Sequence, residues 1–234
     1  MKQLCFGFCV AVASVAATRN ASALSLIESS AGVKLLAGAD LWTKPSNIPG
    51  GYEGLGFAGT AGGVGYGVLG YYEIRIIKFI GAEADLEYQH GSFHRDVTYN
   101  NTLKITETVS TSSWRLPLLA KLNIPLGLGR LWLGAGPEFT IAQSSSSSLE
   151  GPANGTLKTR DVKPTFFTGG LGLVIEVPAI GIDIPLEFRA SKNLSQPANW
   201  MPDRVGVDTT AGTATVRAES SWVLRLGAGV GFRF

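Results

Sequence analysis

The stretch Trp222-Val223-Leu224-Arg225-Leu226-Gly227-Ala228-Gly229-Val230-Gly231-Phe232-Arg233-Phe234 decides how the chain is read. Trp222, Leu224, Leu226, Ala228, Val230, Phe232 and Phe234 share one parity, and Val223, Arg225, Gly227, Gly229, Gly231 and Arg233 the other. Successive side chains of a strand point to opposite faces, so this is a strand with one apolar face and one face dominated by arginine and glycine. The same period recurs upstream. Ala82, Ala84, Leu86 and Tyr88 alternate with Glu83, Asp85, Glu87 and Gln89. Ile182, Ile184, Leu186 and Phe188 alternate with Asp183, Pro185, Glu187 and Arg189. A 3.6-residue helical period is not found. Eight strands are predicted, over roughly 33–42, 61–76, 79–92, 104–122, 129–143, 162–177, 180–192 and 214–234. Short connections (near Ile77-Lys78, Asn123 to Leu128, Val177 to Ile180) alternate with long ones (43–60, 93–103, 144–161, 193–213). An even strand number, with short turns at one end and long loops at the other, is the layout of a transmembrane barrel.

Composition agrees. Of 234 residues, 30 are glycine and only 16% are charged, against about 7% and about 25% in average soluble chains. Mean hydropathy is slightly positive at +0.18, which argues against disorder. No run of 18 apolar residues exists, so a helical membrane span is excluded. Residues 1–23 read as a secretory signal peptide, with Lys2 before an apolar core and Ala21-Ser22-Ala23 as the small-residue cleavage pattern. Cleavage after Ala17 is the alternative. Residues 24–234 are then the barrel domain. Cys5 and Cys9 both lie in the leader, so the mature chain has neither a disulfide nor a thiol nucleophile. Loss of Lys2 and Arg19 from 20 basic residues balances them against 18 acidic ones, which leaves no basic field for nucleic acid.

Alternation alone also fits a soluble lipocalin-like barrel with its apolar face inward. Glycine on the polar parity favours apolar-out, because glycine on an exposed soluble strand weakens it for no gain. Several strands exceed ten residues, enough to cross a bilayer at a tilt. Trp42, Tyr71, Tyr72, Trp114, Trp132, Phe139, Trp222 and Phe232 lie near strand ends, as an interfacial girdle would. Pro117, Pro137 and Pro185 fall within strands, where bulges or shifted strand ends are expected.

The terminal strand resembles the one that Gram-negative outer-membrane barrels present to their assembly machinery, with Trp222, Phe232 and Phe234 as the signal. With the leader and eight strands, residues 30–234 resemble the small OmpA/OmpX-like barrel family. The resemblance implies an eight-stranded antiparallel up-and-down barrel in the outer membrane, with periplasmic turns and extracellular loops. It implies contact with outer-membrane lipid and lipopolysaccharide, and with the barrel-assembly machinery. It also implies a non-enzymatic role in surface structure, envelope integrity or binding through four long loops. The peptidoglycan-binding domain of larger members is expected to be lacking.

With the apolar parity outward, Lys34, Asp40, Glu73, Arg75, Glu83, Asp85, Glu87, Arg115, Lys121, Arg130, Glu138, Glu176, Asp183, Glu187, Arg189, Arg225 and Arg233 face inward. An eight-stranded barrel has room only for its own side chains, and buried charges stay ionised only if paired. These residues are therefore read as a salt-bridged plug, with Glu83, Asp85, Glu87, Arg115, Arg130, Glu138, Asp183, Glu187, Arg189 and Arg225 at its centre. A narrow porin-like channel is the alternative.

Sites of chemistry are scarce. His90-Gly91-Ser92 has the H-x-S spacing of the outer-membrane lipid A deacylase family, where an acid completes a Ser-His-acid triad. Glu107 is the candidate acid, although a third-strand position departs from that family's late placement. His90, His94 and Asp96 could suggest a metal site, but a four-residue step on a strand separates the imidazoles by ~13 Å. Gly62 to Gly67 is followed by no helix and cannot form a phosphate loop. No cofactor and no metal are expected. The Ser144 to Ser148 run is read as flexible loop.

Overall fold

The computed structural model describes residues 27–43, 55–58, 60–99, 103–150, 156–160, 163–195, 213–217 and 220–234. The leader and its cleavage site lie outside these residues. The described residues form eleven strands: β1 (Ile27–Thr43), β2 (Leu55–Ala58), β3 (Thr60–Ile76), β4 (Ile80–Tyr99), β5 (Leu103–Leu126), β6 (Gly129–Glu150), β7 (Thr156–Arg160), β8 (Thr165–Val177), β9 (Ile182–Asn193), β10 (Thr213–Arg217) and β11 (Trp222–Arg233). Eight of them form the wall in the order β4-β3-β1-β11-β9-β8-β6-β5, and pairing of β4 with β5 closes the ring. Every wall pairing is antiparallel. The chain is a closed eight-stranded antiparallel barrel, with no helix among the described residues.

Closure removes the free edges that an open sheet would expose. The first and last wall strands meet along β1 and β11, from Ser30 opposite Arg233 to Leu41 opposite Trp222. Beyond the strand, Phe234 and Ser29 exchange backbone hydrogen bonds of 2.9 and 3.2 Å. β2 extends the β4 side at the loop end, and β7 pairs in parallel with β10 among the long connections.

At the other end the connections are tight. Ile77 and Lys78 both adopt left-handed backbone, with φ of 57° and 64°. This matches the right-handed twist of the flanking strands, as in a type I′ turn, but a β-branched isoleucine is strained there.

Several strands run further than their apolar pattern suggested. β4 continues to Tyr99 and β6 to Glu150, so Ser144 to Ser148 are ladder residues opposite Ser112 to Thr108, not a loop. The segment 213–217 is a strand apart, and the last wall strand begins at Trp222. The three prolines interrupt ladders without shifting register. Pairing of β4 with β5 resumes in the same frame beyond Pro117, and that of β9 with β11 does so beyond Pro185. The bulge in this wall lies instead at Trp114/Arg115, where β6 carries an extra residue between Thr140 and Ala142. A proline loses one donor, on one side only, which a barrel strand tolerates where its other neighbour stays paired.

Candidate functional site

The two faces of the wall divide by chemistry. Outward lie large apolar side chains such as Leu35, Val64, Leu122, Leu133, Leu171 and Leu226, with Leu35 71% and Leu226 63% exposed. Inward, Lys34, Glu73, Glu87, Glu138, Arg189 and Arg225 have almost no surface. This reverses the arrangement of a soluble lipocalin-like barrel. An apolar outer band around a polar interior is how a barrel is built to stand in hydrocarbon.

The inward charges form two ion-pair networks among the described residues. The larger fills the turn-end half and the middle. Lys34 reaches Glu83 at 3.0 Å and Glu187 at 2.7 Å, and Lys121 reaches Glu83 at 2.6 Å and Glu73 at 3.4 Å. Arg189 pairs with Asp85, with Glu83 at 2.7 Å and with Glu187 at 2.7 Å. Arg130 joins Glu73 at 3.2 Å, Glu176 at 2.6 Å and Asp183 at 3.4 Å. At the rim Arg75 meets Glu28 at 3.2 Å and Glu176 at 3.3 Å, and Arg233 pairs with Glu176.

The smaller network lies nearer the loop end. Arg225 donates to Glu87 at 2.6 Å, to Glu138 at 2.5 Å and to Ser191. Arg115 donates to Glu138 at 3.0 Å, and the hydroxyls of Thr168 and Ser191 donate to the same carboxylate at 2.6 and 3.0 Å. The charges of both networks are thus met by opposite charge, and Glu138 by two hydroxyls as well, as ionised groups removed from water require. Asp40 has no salt bridge among the described residues. It accepts one hydrogen bond from Gln89 at 3.4 Å, and its carboxylate occupies the space a side chain at Gly91 would fill.

Two aromatics assigned to the outer girdle are inside instead. Tyr71 is 6% and Trp132 3% exposed, both facing the lumen. Each covers inward glycines on the next strands. A Cβ at Gly32 would come within 2.8 Å of Tyr71 Cε1, one at Gly231 within 2.9 Å of its Cζ, and one at Gly172 within 2.9 Å of Trp132 Cε2. Each ring also takes a lumen cation on its face, Lys34 at 4.4 Å over Tyr71 and Lys121 at 4.0 Å over Trp132. Glycine makes room, and the ring restores the buried area that glycine lacks. Tyr72, Trp114, Phe139, Trp222 and Phe232 do face outward; the side chain of Trp42 lies outside the described residues. The terminal Phe234 ring stands 6.3 Å from that of Tyr72.

The neutral members of the networks, Thr168, Ser191 and Ser113, which accepts from Arg115 at 3.0 Å, were missed on sequence grounds, as were the pairing of the inward Gln89 with Asp40 and the rim acid Glu28. Their parity marks them as inward, but only cross-strand geometry shows which charge each serves.

The H-x-S pair does not assemble a triad. His90 Nδ1 lies 2.9 Å from the hydroxyl of Ser112 on β5, while Ser92 pairs in register with Ser110. Glu107 stands opposite Arg95, five positions along β5 from Ser112, a step of roughly 17 Å. His94 has a hydroxyl partner of its own, Thr108 at 2.8 Å. No group of acidic, histidine or cysteine side chains that could hold a metal exists among the described residues.

No protein-family model matches the chain. No curated protein matches it either. Among solved structures, it is similar to Ail, the attachment invasion locus protein of Yersinia pestis. The identity is 13%, with 88% of this chain and 98% of that chain covered and a TM-score of 0.40. It is similar to the outer membrane protein OprG from Pseudomonas aeruginosa at 11% identity, with 89% and 95% covered and a TM-score of 0.36. Neisserial surface protein A (NspA) matches at 14% identity, with 90% and 98% covered and a TM-score of 0.36.

Proposed function

We propose that this chain is a non-enzymatic integral protein of the outer membrane of a Gram-negative bacterium, working through its loop end while its lumen stays closed. The observation that carries this reading is the pairing of an apolar outer band with an interior occupied by buried ion pairs. A band of exposed leucine and valine has no place in water, and fully buried, paired charges leave no aqueous file through the barrel. Glu83, Asp85, Glu87, Arg115, Arg130, Glu138, Asp183, Glu187, Arg189 and Arg225 act as a structural plug. Residues 1–23 serve as a cleaved signal peptide for passage across the inner membrane. Trp222, Phe232 and Phe234 present the last strand to the barrel-assembly machinery. With wall and lumen committed to insertion and closure, the role lies in surface structure, envelope integrity or capture of an extracellular partner by the loops.

The test is fractionation of the host envelope, followed by gel mobility with and without boiling in SDS. Recovery in the outer membrane with a faster unheated band supports the reading. Recovery in the soluble fraction with no heat shift overturns it.

A further inference from the structure

Above the outward pair Tyr88 and Trp114, whose rings stand 5.3 Å apart, the outer face of β4, β5 and β6 changes chemistry. Three consecutive rows run across these strands in register: His90, Ser112, Ser144; then Ser92, Ser110, Ser146; then His94, Thr108, Ser148. Every position is a serine, a threonine or a histidine. Ser144, Ser146, Ser148 and His94 are exposed and the others half-buried. The surface face of a soluble sheet is ordinarily studded with lysine and glutamate; these three rows carry no formal charge, and acids enter only in the next row, Asp96, Thr106 and Glu150.

The polar groups are held in place. Ser112 and Thr108 engage the Nδ1 atoms of His90 and His94 at 2.9 and 2.8 Å, which leaves each Nε2 on the far side of its ring. At the lower border stand exposed rings, Trp114 at 45% and Tyr66 at 64%, with Tyr66 packed 5.3 Å from His90. Hydroxyls and imidazoles both donate and accept hydrogen bonds, and an exposed aromatic ring offers a flat apolar platform beside them. That combination matches a sugar, which has hydroxyls around its edge and C–H groups on its face. The absence of lysine and arginine from these rows disfavours phosphate as the group recognised.

The face continues the apolar band on the same strands and the same parity, so what lies against it is what lies above hydrocarbon in the same leaflet. At two residues per row and a strand tilt near 45°, three rows rise about 14 Å above the aromatic pair. That height passes the glycerol level and enters a layer of headgroup sugars.

We propose that the outward face of β4, β5 and β6 binds the saccharide portion of an outer-leaflet glycolipid, lipopolysaccharide, from the side. The proposal rests on the outer-membrane reading above; failure of that reading would show separately, as recovery of the protein in the soluble fraction.

The full mature chain, folded in detergent, is incubated with lipopolysaccharide carrying its core sugars or with a truncated form lacking them, and bound glycolipid is measured by native mass spectrometry. The comparison variant is Ser110→Ala/Ser144→Ala/Ser146→Ala, and the unheated gel band reports that it is folded. The wild-type chain should prefer the core-bearing form by about tenfold, and the variant should lose that preference while binding the truncated form as before. Equal binding of both forms by the wild-type chain overturns the proposal, as does an unchanged preference in a folded variant. Free core oligosaccharide competing as strongly as the intact glycolipid overturns the lateral, membrane-borne source of the sugar.

Discussion

Replacing Arg225 with methionine asks whether the lumen is dry. Its guanidinium lies 2.6 Å from Glu87 and 2.5 Å from Glu138. The two acids are not equally served by their surroundings. Glu138 keeps Arg115 at 3.0 Å and the hydroxyls of Thr168 and Ser191. Glu87, with no exposed surface, has Arg225 as its sole ion-pair partner among the described residues. Arg225→Met therefore strands one buried carboxylate. Removing one partner of a buried pair costs about 3–5 kcal/mol, a large part of the 5–15 kcal/mol that typically holds a folded domain together.

Adding Glu87→Gln removes the stranded charge, so the double variant should regain at least about 1–2 kcal/mol over Arg225→Met alone. Lys192→Met serves as the control, because Lys192 faces outward over the Trp222 ring at 5.7 Å and should cost less than about 1 kcal/mol. Urea titration of the barrel folded into lipid vesicles, followed by tryptophan fluorescence, measures all three. A loss below about 1 kcal/mol for Arg225→Met would mean that water screens Glu87. The lumen would then be hydrated, and the closed-plug reading would be wrong.

Gly231→Ala places a methyl group against the Tyr71 ring, 2.9 Å from Cζ, and should lower stability by about 1–3 kcal/mol in the same titration. In a Tyr71→Leu background that penalty should shrink, and an equal penalty in both backgrounds would remove the proposed packing of ring into glycine. Replacing Ile77 with Asn and Lys78 with Gly relieves two left-handed residues and should stabilise the barrel by about 1–2 kcal/mol, read as a higher urea midpoint. Ser92→Ala should leave the acylation pattern of lipid A unchanged by mass spectrometry; loss of a deacylated species would instead restore the hydrolase reading. Purified barrel in planar bilayers should give no stepwise conductance, whereas regular steps would favour the channel.

Parity alone carried most of the barrel, because a period of two sorts side chains without knowledge of the partner strand. The inward list from Lys34 to Arg233 needed nothing further. Tyr71 and Trp132 show where a weaker rule displaced a stronger one. Tyr71 shares parity with Glu73 and Arg75, and Trp132 with Arg130 and Glu138, so both belonged inside; position near a strand end suggested the girdle instead. The upper ends of β4 and β6 were illegible for another reason, although the upper half of β5 was read as strand from residue 104. Above the apolar band both faces of a strand can be polar, the alternation fades, and a serine run looks like a loop. Only the backbone ladder with Ser112 to Thr108 shows it to be a strand. The service of Thr168 and Ser191 to Glu138 was equally out of reach, since it joins residues 30 and 53 positions apart in sequence across the neighbouring strands β6, β8 and β9.

The low charge content takes on a different meaning once the faces are known. A chain that is 16% charged looks poor in charge for a soluble surface, yet the described charges concentrate in the lumen, where each must find a partner. Inward glycines let that happen: Gly172 and Gly231 yield their space to the rings of Trp132 and Tyr71, and Gly91 yields its to the carboxylate of Asp40. Such an interior is assembled by mutual fit, so altering one charge to admit a solute would leave others unpaired. The outer band is constrained just as tightly by hydrocarbon. Freedom to vary without loss of the barrel remains where strands rise above the band and where loops join them, which is where the proposed surface role would be under selection.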